Sequence, residues 1–459
     1  MQLKPVPGGV RRGLIAASCA LLGASGARSQ EAAKQSDDAQ ADGGLTDNGN
    51  GNWLLDSAVA YYHENGRIQA IEPVVNVRND DGDGDIVNFN LTYDSLSGSS
   101  PNGALPSNRP QTFASPSGKS LSAAPHTYTT ASGQTAVENA PIYTTNPGQL
   151  PVDSKYHDQR LAVGAAWQFP WSRLTRSTFG GKLSYEHDFL SAGLNASIAH
   201  DFNEKNTTLS FGINDESDFL RPIGGAPVPA SDYALFEKTG HKSKNGVGLL
   251  MGVTQVMSRA WLTEFNLSAD RFTGYLNDPY KIISVLNGNG DTSGYLYEKR
   301  PDIRTRKSAY LENRLAWDQA SAALSLRYMT DDWHVHSATA QLRVRWWLSN
   351  RNQYLEPTIR WYRQTAADFY TPWISSSAGQ TLNYASADAR LGAFRALTYG
   401  LKYAVKLDQE LDQAGSEISV RFEYYQQTFD HTAAAPSALQ GLDLYPGLRA
   451  ILLQVGFSY

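Results

Sequence analysis

The chain has 459 residues, a formal net charge of −5 and a mean hydropathy of −0.41. This acidic balance argues against general nucleic-acid binding, which needs a basic surface. Beyond the N-terminal segment no uncharged apolar run approaches the ~20 residues that a membrane helix needs, which excludes an α-helical membrane protein.

Residues 1–27 read as a secretory signal peptide. Lys4, Arg11 and Arg12 precede the short apolar stretch "GLIAASCALLGASGA", which ends in small residues. Cys19, the only cysteine, lies inside this stretch; a lipoprotein signal at Cys19 is the alternative, but the apolar run before it is short. Removal of the segment would leave no thiol. Residues 28–52 are polar, acidic and rich in Gly and Asn, which predicts a flexible periplasmic linker.

From residue 53 onward the dominant hydrophobic period is two, the signature of half-buried strands. In "IVNFNLTY", for example, Val87, Phe89 and Leu91 share one face and Asn88 and Asn90 the other. The repeating segments are about 9–11 residues long, enough for a tilted strand to cross a bilayer. Sixteen strands are predicted, at 53–62, 67–77, 85–94, 158–168, 177–187, 190–200, 206–214, 246–256, 261–270, 307–316, 321–330, 337–347, 353–363, 389–407, 417–427 and 449–459.

The connections between these strands alternate in length. Every second connection is short, whereas the long ones all fall in the other set, at 95–157, 215–245, 271–306, 364–388 and 428–448. Short turns on one side, long loops on the other and an even strand count are typical of outer-membrane barrels. The sequence therefore predicts an all-β fold, a transmembrane antiparallel β-barrel of about 16 strands over 53–459. A soluble β-sandwich or propeller is the alternative, but a propeller would not separate the connections so cleanly.

The last strand, "AILLQVGFSY", alternates up to Tyr459. We expect it to pair with the first strand, because an open sheet edge is not tolerated in lipid. A terminal aromatic residue also resembles the signal that barrel-assembly machinery reads. The expected location is the outer membrane of a Gram-negative bacterium, with outer-membrane lipid and the assembly machinery as partners.

If the apolar residues face lipid, their alternates face the lumen, and several of those are charged. Neighbouring strands carry a row of arginines with interspersed glutamates, and the pattern returns on a later strand. The predicted lumen-lining residues are Arg314, Arg327, Arg343, Arg345, Arg360, Arg421, Glu312, Glu356 and Glu423. A positive wall in a water-filled pore would favour anionic solutes. The alternative is that these arginines pair with the glutamates and fill the barrel.

Two stretches suggest metal binding, but each has a simpler interpretation. "NDDGDGD" at 79–85 alternates Asp and Gly like a calcium loop, yet it lacks the glutamate at the twelfth position and fits a tight turn. His334 and His336 alternate beside Asp331 and Asp332 along what reads as a strand, where a polar outer turn is favoured over a metal site. We predict no metal, no cofactor and no catalytic residue. An outer-membrane hydrolase is the weakest hypothesis, since alternation alone nominates no nucleophile–histidine pair.

Several stretches resemble an uncharacterised family of bacterial outer-membrane barrels. They are "YDSLSGSSPNGA" (93–104), "NTTLSFG" (206–212), "GYLNDPYK" (274–281), "YEKRPDIRTR" (297–306), "LRYMTDDW" (326–333) and "WYRQTAADFY" (361–370). The resemblance implies the fold and the location, no reaction, and a periplasmic lipoprotein or redox protein as partner. Most of these stretches lie at strand tops or in long loops. We expect Asp278, Tyr280, Arg300, Asp302, Asp368 and Tyr370 to meet there in an external cap, although each could instead form its own turn.

The predicted function is a passive or gated channel for small hydrophilic solutes, anionic ones among them, because a barrel of this size has an aqueous lumen by default. The alternative is a plugged scaffold or binding barrel that partners a periplasmic lipoprotein or redox protein. The role of loop 95–157, which is rich in Ser, Thr, Pro and Gly, stays open between constriction, cap and mobile segment.

Overall fold

The computed structural model describes residues 52–115, 126–129, 135–138, 142–235, 237–348, 351–376, 383–407, 416–430 and 434–459. The predicted signal peptide and all of the predicted linker except Asn52 lie outside these residues. Among the described residues, no helix is long and apolar enough to cross a membrane.

Sixteen antiparallel strands form one closed barrel in chain order, so the predicted fold class is confirmed. The strands are β1 Asn52–Glu64, β2 Gln69–Asp80, β3 Ile86–Ser97, β4 His157–Pro170, β5 Thr175–Tyr185, β6 Phe189–Phe202, β7 Thr207–Leu220, β8 Lys242–Ser258, β9 Trp261–Gly274, β10 Ile303–Ala316, β11 Ala320–Asp331, β12 His336–Leu348, β13 Gln353–Gln364, β14 Phe394–Lys406, β15 Glu417–Phe429 and β16 Leu448–Ser458. The barrel closes where β1 pairs with β16, and the backbone of Leu55 and Tyr459 exchanges two hydrogen bonds of 2.8 Å. The expected pairing of the last strand with the first is therefore present.

The two ends of the barrel differ. At the turn end, which holds Asn52 and Ser458, the strands are joined by short connections such as 171–174, 203–206 and 259–260. At the loop end, all of the long connections lie together, at 98–156, 221–241, 275–302, 365–393 and 430–447. Long loops gathered at one end are the predicted arrangement.

The alternation of side chains along each strand sorts the barrel wall into two faces. On β7, Leu209, Phe211 and Ile213 are exposed on the outer surface, whereas Asn214 and Glu216 are buried on the inner side. The same division holds around the ring, so large apolar side chains cover the outside and polar ones fill the inside. That is the reverse of a soluble core, and it is the pattern of a barrel whose outer face meets lipid.

Several predicted strand limits are wrong. The seventh strand was expected to end at residue 214, but it runs to Leu220, so the loop begins at 221 and not at 215. Its polar continuation "DESDFL" looks like a loop in sequence, yet Glu216 and Asp218 point inward to Lys182 and Lys244, at 2.5 and 2.8 Å.

The fourteenth strand begins at Phe394 and not at 389. Residues Ala389–Leu391 form a single 3₁₀ turn, because the Asp388 side chain accepts a hydrogen bond from the Arg390 amide and starts the turn. Loop 364–388 therefore becomes 365–393. Loops 95–157, 271–306 and 428–448 likewise shorten, to 98–156, 275–302 and 430–447.

The long loops fold together at the loop end into a small structure that we call the cap. It contains a three-stranded sheet of Ile282–Leu286, Thr292–Tyr297 and Trp373–Ser375, in which segments from loops 275–302 and 365–393 run side by side. Loop 98–156 adds two antiparallel strand pairs, one of Gln111–Ala114 with Ile142–Thr145 and one of His126–Thr129 with Thr135–Glu138. In loop 221–241, Ala226–Pro227 pairs with Lys238–Thr239. Tyr233–Leu235, Ser437–Leu439 and, at the turn end, Asn203–Lys205 form 3₁₀ turns.

Candidate functional site: the charged lumen and its cap

All nine predicted lumen-lining residues lie on the inner face of the barrel. On β11, for instance, Arg327 stands between the exposed, outward-facing Leu326 and Tyr328. On β15, Arg421 and Glu423 are buried and alternate with the exposed Val420 and Phe422. The other six follow the same alternation on β10, β12 and β13: Glu312, Arg314, Arg343, Arg345, Glu356 and Arg360.

Some of the predicted arginines pair with the predicted glutamates. Arg314 binds Glu312, Arg345 Nη2 lies 2.6 Å from Glu356 Oε2, and Arg421 Nη1 lies 3.4 Å from Glu423 Oε1. These three arginines therefore pair with glutamates on the inner wall, as the alternative interpretation of the arginine row expected.

Arg327 and Arg360 differ from these three arginines. Within the part of the chain that the structure describes, neither guanidinium group lies within ion-pair distance of a carboxylate. Arg327 is two strands away from Arg360, and the two guanidinium groups interact electrostatically. Asp270 on β9 also interacts electrostatically with Arg327, so the positive charge of the two guanidinium groups is only partly offset on the inner face.

The inner face is divided into a basic and an acidic side. On β10–β13 seven arginines face three carboxylates: Arg304, Arg306, Arg314, Arg327, Arg343, Arg345 and Arg360 against Glu312, Asp331 and Glu356. On β1–β4 six carboxylates face two arginines: Asp56, Glu64, Glu72, Asp80, Asp94 and Asp158 against Arg78 and Arg160. In a ring of sixteen strands these two groups stand nearly opposite each other. Opposed charged walls set up an electric field across the lumen.

The cap has its own apolar core, built from loops on different sides of the mouth. Ala104, Phe113, Tyr233, Ile282, Tyr295 and Tyr297 form one cluster from three loops. Leu105, Leu286, Leu439 and Leu444 form a second, which joins loops 98–156, 275–302 and 430–447. Loops 98–156 and 275–302 leave the ring six strands apart, yet the Leu105 amide donates to Ser284 Oγ at 3.0 Å. The cap therefore crosses the mouth of the barrel.

A buried ion network ties the cap sheet to loop 365–393. Arg300 Nε lies 2.7 Å from Glu298 Oε1, and Arg300 Nη2 lies 2.8 Å from Asp388 Oδ2. Arg390 Nη2 links Asp388, at 2.5 Å, to Asp278, at 2.9 Å. Glu298 also accepts hydrogen bonds from the Ser386 hydroxyl and the Asp278 amide, both at 2.5 Å. Buried charges with this many partners fix one geometry of the loops.

Burial affects the two central carboxyls differently. It raises the pKa of the Glu298 carboxyl above its usual range, although Arg300 opposes the shift. Burial alone would also raise the pKa of Asp388, but Arg390, Lys281 and Arg300 outweigh it and hold that pKa well below its usual range. Asp388 is thus the carboxylate whose charge the network stabilises.

The structure brings together two of the six predicted cap residues, Asp278 and Arg300, in this network. The Tyr280 amide donates to Asp278 Oδ1 at 3.1 Å in a local turn, but the Tyr280 side chain points away from the network and donates to Asp188 Oδ2 at 2.6 Å. Asp302 accepts a hydrogen bond from the Gly274 amide through its carbonyl. Asp368 lies on the exposed surface, 2.6 Å from His334 Nδ1. Tyr370 packs beside the apolar cluster of Trp333, Val335, Ala367 and Leu391.

The two stretches that suggested metal ligands form turns. Asp81 Oδ1 accepts hydrogen bonds from the amides of Asp83 and Asp85, at 3.0 and 3.1 Å. His334 does not lie on a strand with His336, as the alternation suggested. It occupies the left-handed region, with φ of 60°, in the connection that precedes β12.

A cluster of three carboxylate side chains, which the sequence did not indicate, lies at the loop end of β4–β6. Oxygens of Asp158, Glu186 and Asp188 come within 4.8 Å of one another, a donor set that suits a hard cation. These residues extend the acidic side of the lumen toward the cap.

Sequence reasoning missed Glu298, Ser386, Asp388 and Arg390. Glu298 stands two residues before the predicted Arg300, but Ser386, which donates a hydrogen bond to it, lies 88 residues later in the chain. The spacing Ser-x-Asp-x-Arg at 386–390 was the available signal, since a short acceptor side chain followed by helical residues often caps a turn.

Comparison with solved structures finds bacterial outer-membrane proteins at low similarity. A bacterial polysaccharide outer membrane secretin is 9% identical with a TM-score of 0.42, over 90% of this chain and 100% of that one. OccD3 (OpdP) of Pseudomonas aeruginosa is 9% identical with a TM-score of 0.40, over 90% and 92%. OccK2 (OpdF) of Pseudomonas aeruginosa, in complex with glucuronate, is 11% identical with a TM-score of 0.37, over 89% and 97%.

The search of curated proteins found no match. The chain does match a protein family over residues 12–459, which covers the entire barrel and cap. That family is described as "Protein of unknown function (DUF3570)", and the chain belongs to it.

Proposed function

We propose that this protein is an outer-membrane channel for small hydrophilic solutes, with anionic solutes favoured along its basic wall. The observation that carries the proposal is the charge division of the inner face between β10–β13 and β1–β4. A sixteen-stranded barrel encloses an aqueous lumen. Rings or walls of charge in such a lumen set which solutes pass. The role is non-enzymatic: the side chains orient and pass a solute.

In this arrangement the turn end faces the periplasm and the cap faces outward, since long loops are extracellular in bacterial barrels. The exposed apolar outer wall supports the membrane location. An anionic group entering beside Arg327 and Arg360 gains charge-assisted hydrogen bonds there. The acidic wall opposite would orient a dipolar solute across the lumen.

The ion selectivity of the purified protein in planar bilayers tests the proposal. The variant pair Arg327→Gln and Arg360→Gln removes two positive charges without leaving a carboxylate unpaired. Two unit charges about 10 Å from the pore axis in water contribute roughly 0.8 kcal/mol, or about a fourfold change in the permeability ratio. We expect the reversal potential in a salt gradient to move toward cation preference by about that much.

The control replaces Arg173 and Arg259, which are exposed in turn-end connections, by glutamine. It should leave the reversal potential unchanged. An unchanged reversal potential in the lumen pair as well would contradict the proposal.

The cap favours a second candidate, a plugged scaffold or binding barrel that partners a periplasmic lipoprotein or redox protein. Its support is that a folded structure with two apolar clusters crosses the mouth. A steady conductance of the intact protein favours the channel, and a silent barrel favours the plugged scaffold.

A further inference from the structure

Basic side chains stand at the loop end of the outer wall on only half of the barrel. The five outward-facing cations there are Arg271, Lys307, Arg363, Arg395 and Arg449. All are exposed, and all lie on strands between β9 and β16. Among the described outer-face residues of β1–β8, the corresponding positions carry no Lys or Arg; Asp215 on β7 is acidic.

Each of these cations lies directly above an apolar band. Arg363 follows the exposed Ile359 and Trp361 on the same face of β13, and Arg395 precedes Leu397 and Tyr399 on β14. If the apolar band lies in the hydrocarbon layer, as the proposed function requires, these guanidinium groups lie at the headgroup level.

Arg363 and Arg395 are directly opposite each other on neighbouring strands. Like charges in such a pair destabilise a sheet. Asp430 relieves part of this cost, with its oxygens 2.8 Å from Arg363 Nε and 3.4 Å from Arg395 Nε. One carboxylate between two arginines leaves one positive charge, and both arginine side chains remain more than half exposed. The pair is therefore available to an external anion.

An open groove of about 730 Å³ is lined by Arg363 and Asp430 and lies beside Arg395, at the junction of the outer wall of β11–β13 with the loops. Its lining is largely apolar and includes Tyr328, Trp361, Pro372 and Tyr445, with Arg363 among its polar members. A guanidinium beside an apolar groove matches a molecule with a phosphate at one end and a hydrocarbon chain at the other.

We propose that the outer wall at β12–β14 binds a phosphate-bearing anionic lipid of the outer leaflet, with the phosphate on Arg363 and Arg395 and an acyl chain in the groove. This inference rests on the membrane location given in the proposed function. The restriction of the cations to one half of the ring gives the protein one lipid-binding side.

Native mass spectrometry of the full chain in a non-ionic detergent tests the site, with diphosphoryl lipid A as the probe and its dephosphorylated form for comparison. We expect preferential binding of the phosphorylated form. Arg363→Gln with Arg395→Gln should weaken that binding about tenfold or more, the effect of losing charge-assisted contacts. The matched control is Arg173→Gln with Arg259→Gln at the turn end, which should bind as the wild type does. Equal binding by all three proteins, or equal binding of both lipids, overturns the proposal.

Two further variants separate lipid binding from a structural role. Arg395→Gln alone keeps the closer Arg363–Asp430 pair and covers the case in which the double variant does not fold. Asp430→Asn removes the competing carboxylate, so it should retain or tighten lipid binding. If Asp430→Asn weakens binding as much as the double variant, the three residues act as a structural bridge and the lipid site is wrong.

Gel mobility with and without boiling accompanies each measurement, because a closed barrel resists detergent until it is heated. A heat-modifiable protein without phosphate-dependent binding overturns only the lipid site. A protein that is not heat-modifiable overturns the membrane proposal and the lipid site together.

Discussion

At the scale of single residues, Asp388 is the residue that joins the two arginines of the ion network in the cap. Its carboxylate is fully buried and joins Arg300, which is also buried, to Arg390. Glu298 is equally buried but receives two neutral donors, Ser386 and the Asp278 amide, besides Arg300. The network therefore depends on the charge of Asp388 more than on the charge of Glu298, in agreement with the opposite directions of their pKa shifts.

This difference predicts that two isosteric substitutions, Asp388→Asn and Glu298→Gln, reduce the stability of the cap by different amounts. Asp388→Asn leaves Arg300 without one of its carboxylates and should destabilise the cap by about 3–5 kcal/mol, the cost of breaking a buried pair. Glu298→Gln should cost less, since burial raises the pKa of Glu298 and so already disfavours its charged form, whereas the network holds the pKa of Asp388 low. Limited proteolysis of the loops measures the free energy of local opening. Equal cleavage rates for the two variants would contradict this order.

The pH dependence of the stability of the cap follows from the pKa shifts of Asp388 and Glu298. The folded pKa of Asp388 is depressed, so its stabilising contribution is complete above the ordinary Asp value of about 3.9 and is lost as the pH falls through the lower folded value. The folded pKa of Glu298 is raised, so its contribution is present below the ordinary Glu value of about 4.3 and is lost as the pH rises through the folded value. The difference between wild type and Asp388→Asn should therefore shrink only in strong acid.

At the scale of elements, the strands were predictable and the cap was not. Strands such as β12 carry their signal locally, since Leu342, Val344 and Trp346 alternate with polar neighbours and no other part of the chain is needed to see it. The extension of β7 through Glu216 and Asp218 was not visible, because Lys182 and Lys244, which compensate those charges, lie on other strands.

The apolar clusters of the cap were not predictable for the same reason, because their members lie far apart in the chain. Leu105 and Leu439 meet in one cluster although more than three hundred residues separate them in the chain. Neither has a periodic pattern around it. The inward direction of the charged barrel residues, in contrast, followed from alternation alone.

A matched pair of leucines tests whether the cap is a packed structure. Leu439 and Leu235 each end a 3₁₀ turn in a long loop, but Leu439 is 2% exposed and Leu235 is 64% exposed. Leu439→Ala should destabilise the cap by about 2–5 kcal/mol through lost burial and a new cavity, whereas Leu235→Ala should have little effect. Hydrogen exchange of the cap amides measures both. Similar protection in the two variants would mean that the cluster contributes little to holding the loops.

At the scale of the whole molecule, two structures with different physical origins meet at the mouth. The barrel is polar inside and apolar outside, which is the arrangement of a barrel that lies in lipid. The cap is apolar inside and charged at its junctions, so its loops pack as a small water-soluble domain does. In the proposed channel, gating would require the cap to open while the barrel stays closed.

Excision of loop 98–156 tests this independence. Its ends are already adjacent, since the Gly98 amide donates to the Tyr156 carbonyl and the Asp153 amide donates to Ser99 Oγ, both at 2.9 Å. Residues 100–152 can therefore be replaced by a short Gly/Ser linker without stretching the ring. The variant loses Leu105 and Phe113 from the two cap clusters but keeps every barrel strand. It should remain heat-modifiable on a gel and show a larger steady conductance than the intact protein in planar bilayers. A heat-modifiable variant whose conductance is unchanged would mean that this loop does not obstruct the lumen, and the gate would then have to be sought among the charged side chains of the barrel wall.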